Sequence, residues 1–137
     1  MATQFFLSVV APDKAVVEEN VTAIVAPGTE GYFGVWAGHF PVIAALRPGL
    51  LEYTDASADR HYVYVGGGFA EVQSDKVTIL ADEAERAIDI ELSKAEHALE
   101  EARKALRGEE TSVNSTDAVL EVERAVSRIK AARMAMK

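Results

Sequence analysis

The chain has 137 residues, a net charge of −8 at pH 7 and a pI near 4.9, so it lacks the basic footprint that a duplex nucleic acid needs. With no cysteine, disulfides, thiolate nucleophiles and cysteine-ligated zinc are all excluded. Hydrophobic residues at 49% and charged residues at 26% allow a packed core, in one domain or two very small ones.

The N-terminus, MATQFFLSVVAPDK, has no positive charge ahead of a short apolar run and does not read as a secretory signal. No stretch approaches the roughly 18 consecutive apolar residues of a membrane span. A soluble, cytosolic chain is expected. Up to Ala81 the sequence is written in short runs of Val, Ile, Phe and Tyr separated by turn residues: FFLSVV, VTAIVA, LLEYT, RHYVYV, FAEV and VTILA. In VTAIVA, Val21, Ala23 and Val25 alternate with Thr22 and Ile24; in HYVYV, Tyr62 and Tyr64 alternate with Val63 and Val65. Short strands at regular spacing predict an antiparallel β-sandwich or a barrel.

Two motifs interrupt these runs. GYFGVWAGHFPV, residues 31–42, reads as a long shaped loop carrying Trp36 and His39. The other histidines, His61 in a strand run and His97 on the polar side of a helix, supply no second ligand at metal-binding spacing, and no nucleophile elbow is present. The triplet GGG at 66–68 leads into FAEV, a strand, not into a helix N-terminus with Lys and Ser/Thr. A bulge or tight strand junction is therefore expected there.

From Ala84 the period changes. Ile88, Leu92, Ala95, Leu99, Ala102 and Leu106 recur at steps of four and three, one stripe of an α-helix. Asp82 with Glu85 fits a capping box, and Asp89 is a second candidate cap. Gly108 ends this helix; after the polar EETSVNST, Thr116 or Asp117 is available to cap a second one. Its stripe is Val119, Val122, Val126, Ile129 and Met136, broken by Arg133. The fold class is thus α+β: residues 1–84 a β-sandwich, residues 85–137 an antiparallel two-helix hairpin. Two narrow stripes cannot bury both faces of an isolated hairpin, so it must dock on the sandwich or on another protein.

Charge divides unevenly. Residues 83–123 hold twelve acidic and five basic residues, whereas 124–137 hold Arg124, Arg128, Lys130, Arg133 and Lys137 and no acid. Cations near a helix C-terminus suit its dipole; they also suit an acidic partner surface. Neither pattern amounts to an active site, and the whole fits a binding or regulatory subunit.

The order E-G-x-x-G-x-x-x-G-H-x-P from Glu30 to Pro41, followed by PGLLEY, YVGGGFAEV and VTILADEAERAIDIE, resembles the epsilon subunits of F-type ATP synthases over nearly the whole chain. The resemblance implies a non-catalytic central-stalk subunit whose sandwich binds the gamma subunit and rests on the membrane c-ring, coupling proton-driven rotation to ATP synthesis. Glu30 and Gly31 fall at the ring-facing end and His39 on the family's histidine. Tyr32 stands where many members carry a second carboxylate. The helices would either fold on the sandwich or extend into the alpha/beta catalytic head and inhibit ATP hydrolysis, with Arg124, Arg128, Lys130 and Arg133 meeting the head.

Some members bind ATP between the folded helices through I-D-x-x-R-A and arginines farther along. Here Ile90 and Ala95 match, Glu91 replaces the aspartate and Lys94 the arginine; Glu85, Arg124 and Arg128 match, and Glu101 reverses a charge. Lys keeps a charge but loses the bidentate fork, and Glu101 repels phosphate. The role implied needs no cofactor, with ATP at most a regulatory ligand, and no metal. The resemblance and the absence of a transit peptide imply the cytoplasmic side of a bacterial inner membrane, peripherally bound. Two other classes remain to be tested: a free cytosolic ATP-sensing or small-molecule-binding sandwich, and a small hydrolase using His39.

Overall fold

The computed structural model describes residues 3–111, 113–114 and 117–137. Seven strands come first: β1 (Phe5–Ala11), β2 (Lys14–Gly28), β3 (Gly31–Trp36), β4 (Val42–Asp55), β5 (Arg60–Val72), β6 (Lys76–Ala81) and β7 (Ala84–Arg86). A single 3₁₀ turn (Ala87–Asp89) leads to α1 (Leu92–Leu106) and α2 (Ala118–Ala135). The strands follow the order β1-β6-β5-β4-β2-β3; β7 pairs with β5, and β1 also pairs with β2 and closes the sheet on itself. All pairings are antiparallel except β1 with β6. The sandwich and the helical hairpin both form as the pattern predicts.

Several strands are longer than their apolar runs, because the sheet carries them through residues that look like punctuation. β2 continues through Pro27, leaving a two-residue turn, Thr29–Glu30, before β3. β5 runs unbroken through the glycine triplet. There Gly68 has φ +133°, and a Cβ on it would lie 2.1 Å from the Leu80 carbonyl oxygen of β6. Only glycine fits so close a crossing. GYFGVW is strand, not loop, which corrects the expectation for residues 31–36.

Alternation fails once in an instructive way. Val21 is buried, but the next core residues of β2 are Ile24 and Ala26, not Ala23 and Val25. The β2–β4 register shifts between Val21 and Ala23, and one extra residue in a strand turns every later side chain to the other face. Leu7, Val9, Val21, Ile24, Leu51, Tyr53, Val65 and Ile79 make the sandwich core.

The hairpin departs further from its predicted stripes. Ile88 and Val119 are exposed, as are Leu106 and Met136. Of the predicted stripes Ala95, Ala102 and Ile129 are buried; Ala105 on α1 and Ala118, Ala125 and Ala132 on α2 complete the seam, spaced by seven, three and four, while Ser127 and Ala131 are buried toward the sandwich. Short side chains let two helices approach closely, so the seam is a ladder of methyl groups flanked by the larger residues. α1 packs on α2, and α2 packs on β4 and β5, so α2 is the middle layer. Ala131 seals it against Tyr64 and Ala87, with Leu50, Tyr62 and Ile90 around them.

The helix starts differ as well. Ala84–Arg86 are strand, so Asp82 and Glu85 form no capping box, and Asp89 ends the 3₁₀ turn. Glu91 stands at the N-cap of α1 and Asp117 at that of α2, neither with a side-chain cap bond. Thr116 lies outside the described residues.

Candidate functional site

The hydrogen-bonded centre of the molecule lies where α2 meets β5 and the segment before β7. β5 must present one face to the main core and the other to the hairpin; Val63 and Val65 take the first, Tyr64 the second. The Tyr64 hydroxyl donates to Glu83 Oε1, and the same oxygen accepts from Arg128 Nη2. The Arg128 guanidinium also lies over the Tyr64 ring, 4.6 Å from its centroid. One turn earlier on α2, Arg124 Nε donates to the Gly66 carbonyl at 3.2 Å and sits 3.8 Å from Glu83 Oε1, while its Nη1 pairs with Glu121 at 3.2 Å. Burial pushes the Tyr64 hydroxyl pKa up, and its bond to the Glu83 carboxylate pushes it further. Tyr64 therefore stays a donor throughout the physiological range.

Beside this knot is a cleft of about 470 Å³ lined by Glu85, Asp89, Glu91, Lys94 and Arg128, with Ile90, Ala95 and Ala98 as its apolar wall. Four of the five residues that the resemblance implies for ATP are thus brought together: Glu85, Glu91, Lys94 and Arg128. Arg124 is not; it turns to Gly66 and Glu121. Within the cleft, Lys94 Nζ pairs with Glu91 at 3.0 Å, and both side chains are exposed. Burial raises the Glu85 carboxyl pKa, partly offset by Arg128 and Lys14. Three carboxylates face two cations, one of them already held by Glu83.

The cations of α2 separate into two pairs. Arg124 and Arg128 are mostly buried toward the sandwich, whereas Lys130 and Arg133 are exposed. Sequence reasoning missed Glu83 and Tyr64. The available signal was that two arginines four apart on a docking helix invite a carboxylate on the surface they meet.

The residues expected at the rotor interface do not form one cluster. Glu30, Gly31 and Tyr32 lie at the β2–β3 turn, beside Ile43–Ala45. The Tyr32 ring lies 5.9 Å from the Arg47 guanidinium. His39 follows the other end of β3, and six extended residues put roughly 20 Å between the two places. His39 Nδ1 donates to the Phe40 carbonyl at 2.8 Å. His61 is held elsewhere, donating to Asp55 Oδ2 at 2.8 Å while its ring stacks on Tyr53. That bond, with the backbone N–H of Asp59, lowers the Asp55 pKa. Among the described residues no three His, Asp or Glu side chains gather as a metal site would require.

Outside the hairpin, one face of the sandwich is apolar and open. Ile43, Phe69 and Leu80 come from neighbouring strands and are 72%, 55% and 51% exposed; Trp36 and Phe40 are exposed near the β3–β4 loop. A monomer seldom leaves so many large side chains in water without a partner to cover them.

The fold and this open face belong to a subunit of a larger assembly, and comparison with known proteins says which. Residues 4–87 match the family model described as ATP synthase, Delta/Epsilon chain, beta-sandwich domain. An ATP synthase epsilon chain from Nitratidesulfovibrio vulgaris (strain DP4) is 42% identical over 130 residues, covering 95% of this chain and 96% of its own. Another, from Desulfatibacillum aliphaticivorans, is 44% identical over 114 residues, covering 83% and 81%. Among solved structures, a chain of the Euglena gracilis mitochondrial ATP synthase, OSCP/F1/c-ring, superposes with a TM-score of 0.76 at 29% identity, over 100% of this chain and 84% of that one. A chain of the Tetrahymena thermophila mitochondrial ATP synthase central stalk and c-ring shares the fold, with a TM-score of 0.56 at 13% identity, over 97% of this chain and 96% of that one. The chain belongs to the ATP synthase epsilon chain family.

Proposed function

We propose that the sandwich is the non-catalytic anchor of the central stalk and that the hairpin is a brake on ATP hydrolysis. The carrying observation is the open apolar face of Ile43, Phe69 and Leu80, with Trp36 and Phe40 also exposed. Covering it with the gamma subunit removes that surface from water, at roughly 25 cal/mol per Å² buried. The Glu30–Tyr32 turn, at one end of the sandwich, faces the c-ring, where Tyr32 offers an aromatic contact in place of a carboxylate. His39 belongs to the gamma-facing side, a separation consistent with its distance from that turn. The assembly sits peripherally on the cytoplasmic side of a bacterial inner membrane; no described helix is long and apolar enough to cross one.

In the docked form Arg124 and Arg128 are turned inward. Undocking adds them to Lys130 and Arg133 as a basic face for the alpha/beta head. The test is ATP hydrolysis by a head-and-gamma complex lacking this subunit, with either the full chain or one ending at Ala87 added back, and binding of each checked by gel filtration. Both should bind and only the full chain should inhibit. Binding without inhibition removes the brake; failure of both to bind matched partners removes the stalk role.

A regulatory ATP in the 470 Å³ cleft is the second reading, favoured by the convergence there of Glu85, Glu91, Lys94 and Arg128. The excess of carboxylates makes it a weak site, and the stalk role needs no cofactor. Calorimetric titration of the full chain with Mg-ATP measures it, and Lys94→Ala should abolish any heat observed.

A further inference from the structure

We propose that Glu83 is an internal counter-anion for α2, a positioning residue that seats Arg124 and Arg128 and so fixes the hairpin in its docked position without an outside ligand. One oxygen, Oε1, serves the Tyr64 hydroxyl and Arg128, with Arg124 3.8 Å away. The arginine side chains are only 17% and 23% exposed. Cations that withdrawn from water are stable only against an acceptor. Glu121 meets Arg124 alone, within α2, so among the described residues only Glu83 joins both arginines to the sandwich.

The backbone is shaped around this carboxylate. A Cβ on Gly66 would lie 2.3 Å from Glu83 Cγ and 2.6 Å from the Tyr64 hydroxyl oxygen, so the first glycine of the triplet is a notch that admits the side chain. The notch is clamped on both sides: Gly66 N–H donates to the Glu83 carbonyl at 2.8 Å, and Asp82 N–H to the Gly67 carbonyl at 2.9 Å. Gly66 and Glu83 thus form a receptor for α2, with Tyr64 as its floor.

A phosphate entering the adjacent cleft has to displace Glu83 from Arg128. The hairpin of this chain is self-liganded, and a nucleotide competes for the arginine instead of being needed for docking. The latch rests on the docked geometry alone; its consequence for nucleotide rests on the ATP reading proposed above.

Because the chain has no cysteine, spin labels can be placed at Glu71→Cys on β5 and Glu96→Cys on α1, both exposed, and their separation measured in the full-length protein. The unaltered latch should give one short distance. Glu83→Gln should raise the population at longer distance at least tenfold, and Glu121→Gln should not. The fluorescence of the single tryptophan, Trp36, checks that the sandwich stays folded. If Glu83→Gln disturbs it, Arg128→Gln reads the same latch from the helix side. A distance distribution in the variant identical to the parent overturns the proposal. Mg-ATP should leave the parent unchanged and return Glu83→Gln to the short distance by filling the vacated seat. Release by Glu83→Gln with no response to ATP supports the latch and overturns the nucleotide reading.

Discussion

The sandwich and the hairpin solve the same problem, burying enough apolar surface to stay folded, with different materials. In the sandwich, Leu7, Val9, Val21, Leu51, Val65 and Ile79 are almost wholly buried, and each contributes roughly 1.5–3 kcal/mol. In the hairpin the seam is mostly alanine, a single methyl group worth under about 1 kcal/mol apiece. To that thin seam the docked helices add one polar knot, Glu83 with Tyr64, Arg124 and Arg128, which fixes where they sit more than how strongly. An apolar core cannot be switched without unfolding, whereas a knot of charges can be opened and re-formed. The difference fits an anchor joined to a movable arm.

The harshest way to break that comparison is Leu51→Ala, in the centre of β4 and fully buried. It should cost about 2–5 kcal/mol, measured by urea unfolding, and the hairpin should be lost with the sandwich because α2 docks on β4 and β5. If the hairpin kept its helicity after the sandwich melted, the dependence of arm on anchor would be wrong. Next in size is Ala102→Leu, which forces a large side chain into the methyl ladder of a fully buried seam. Overpacking of about 1–3 kcal/mol is expected, confined to the helices: amide exchange should quicken in α1 and α2 and stay unchanged in β1–β6. By contrast, Val119→Ala and Ile88→Ser, both on the stripes read from the sequence, should shift stability by no more than about 0.5 kcal/mol, because both residues are exposed.

That last contrast marks the limit of what was legible. Strand-rich and helix-rich halves are separated by hydrophobic period alone, and the alternation of Tyr62 and Tyr64 with Val63 and Val65 marked a strand without saying that the hairpin covers its second face. The helix seam was legible only in part: Ala95, Ala102 and Ile129 stand on the predicted stripes and are buried, but Ala105, Ala118, Ala125 and Ala132 were missed, because alanine is equally at home in a seam and in water. The bulge near Thr22 was hidden for a related reason: a register shift is a property of two strands, and one strand's sequence does not record it. At the site, the resemblance located four of the five charged residues that line the cleft but not Glu83, the anion that holds Arg128. Glu83 sits in an acidic run that reads as a helix start, and its role depends on Gly66 and Arg128, distant in sequence.

The smallest and finest test asks whether Glu85 belongs to the arm's lock or merely lies beside it. Burial raises its pKa above the ordinary 4.5, with Arg128 and Lys14 pulling the other way. A carboxyl whose folded pKa is raised binds more protons folded than unfolded, so its contribution to stability is full below 4.5 and is lost as pH rises through the folded value. Glu85→Gln mimics the protonated form at every pH. The variant should therefore dock its helices more firmly than the parent at pH 7, and the advantage should vanish below about pH 4, where the parent is protonated in both states. Urea midpoints for the helical transition at the two pH values decide it. Weaker docking at pH 7 would mean that the attraction of Arg128 outweighs burial, and the lock would then be shared by two carboxylates, Glu83 on one side of the arginine and Glu85 on the other.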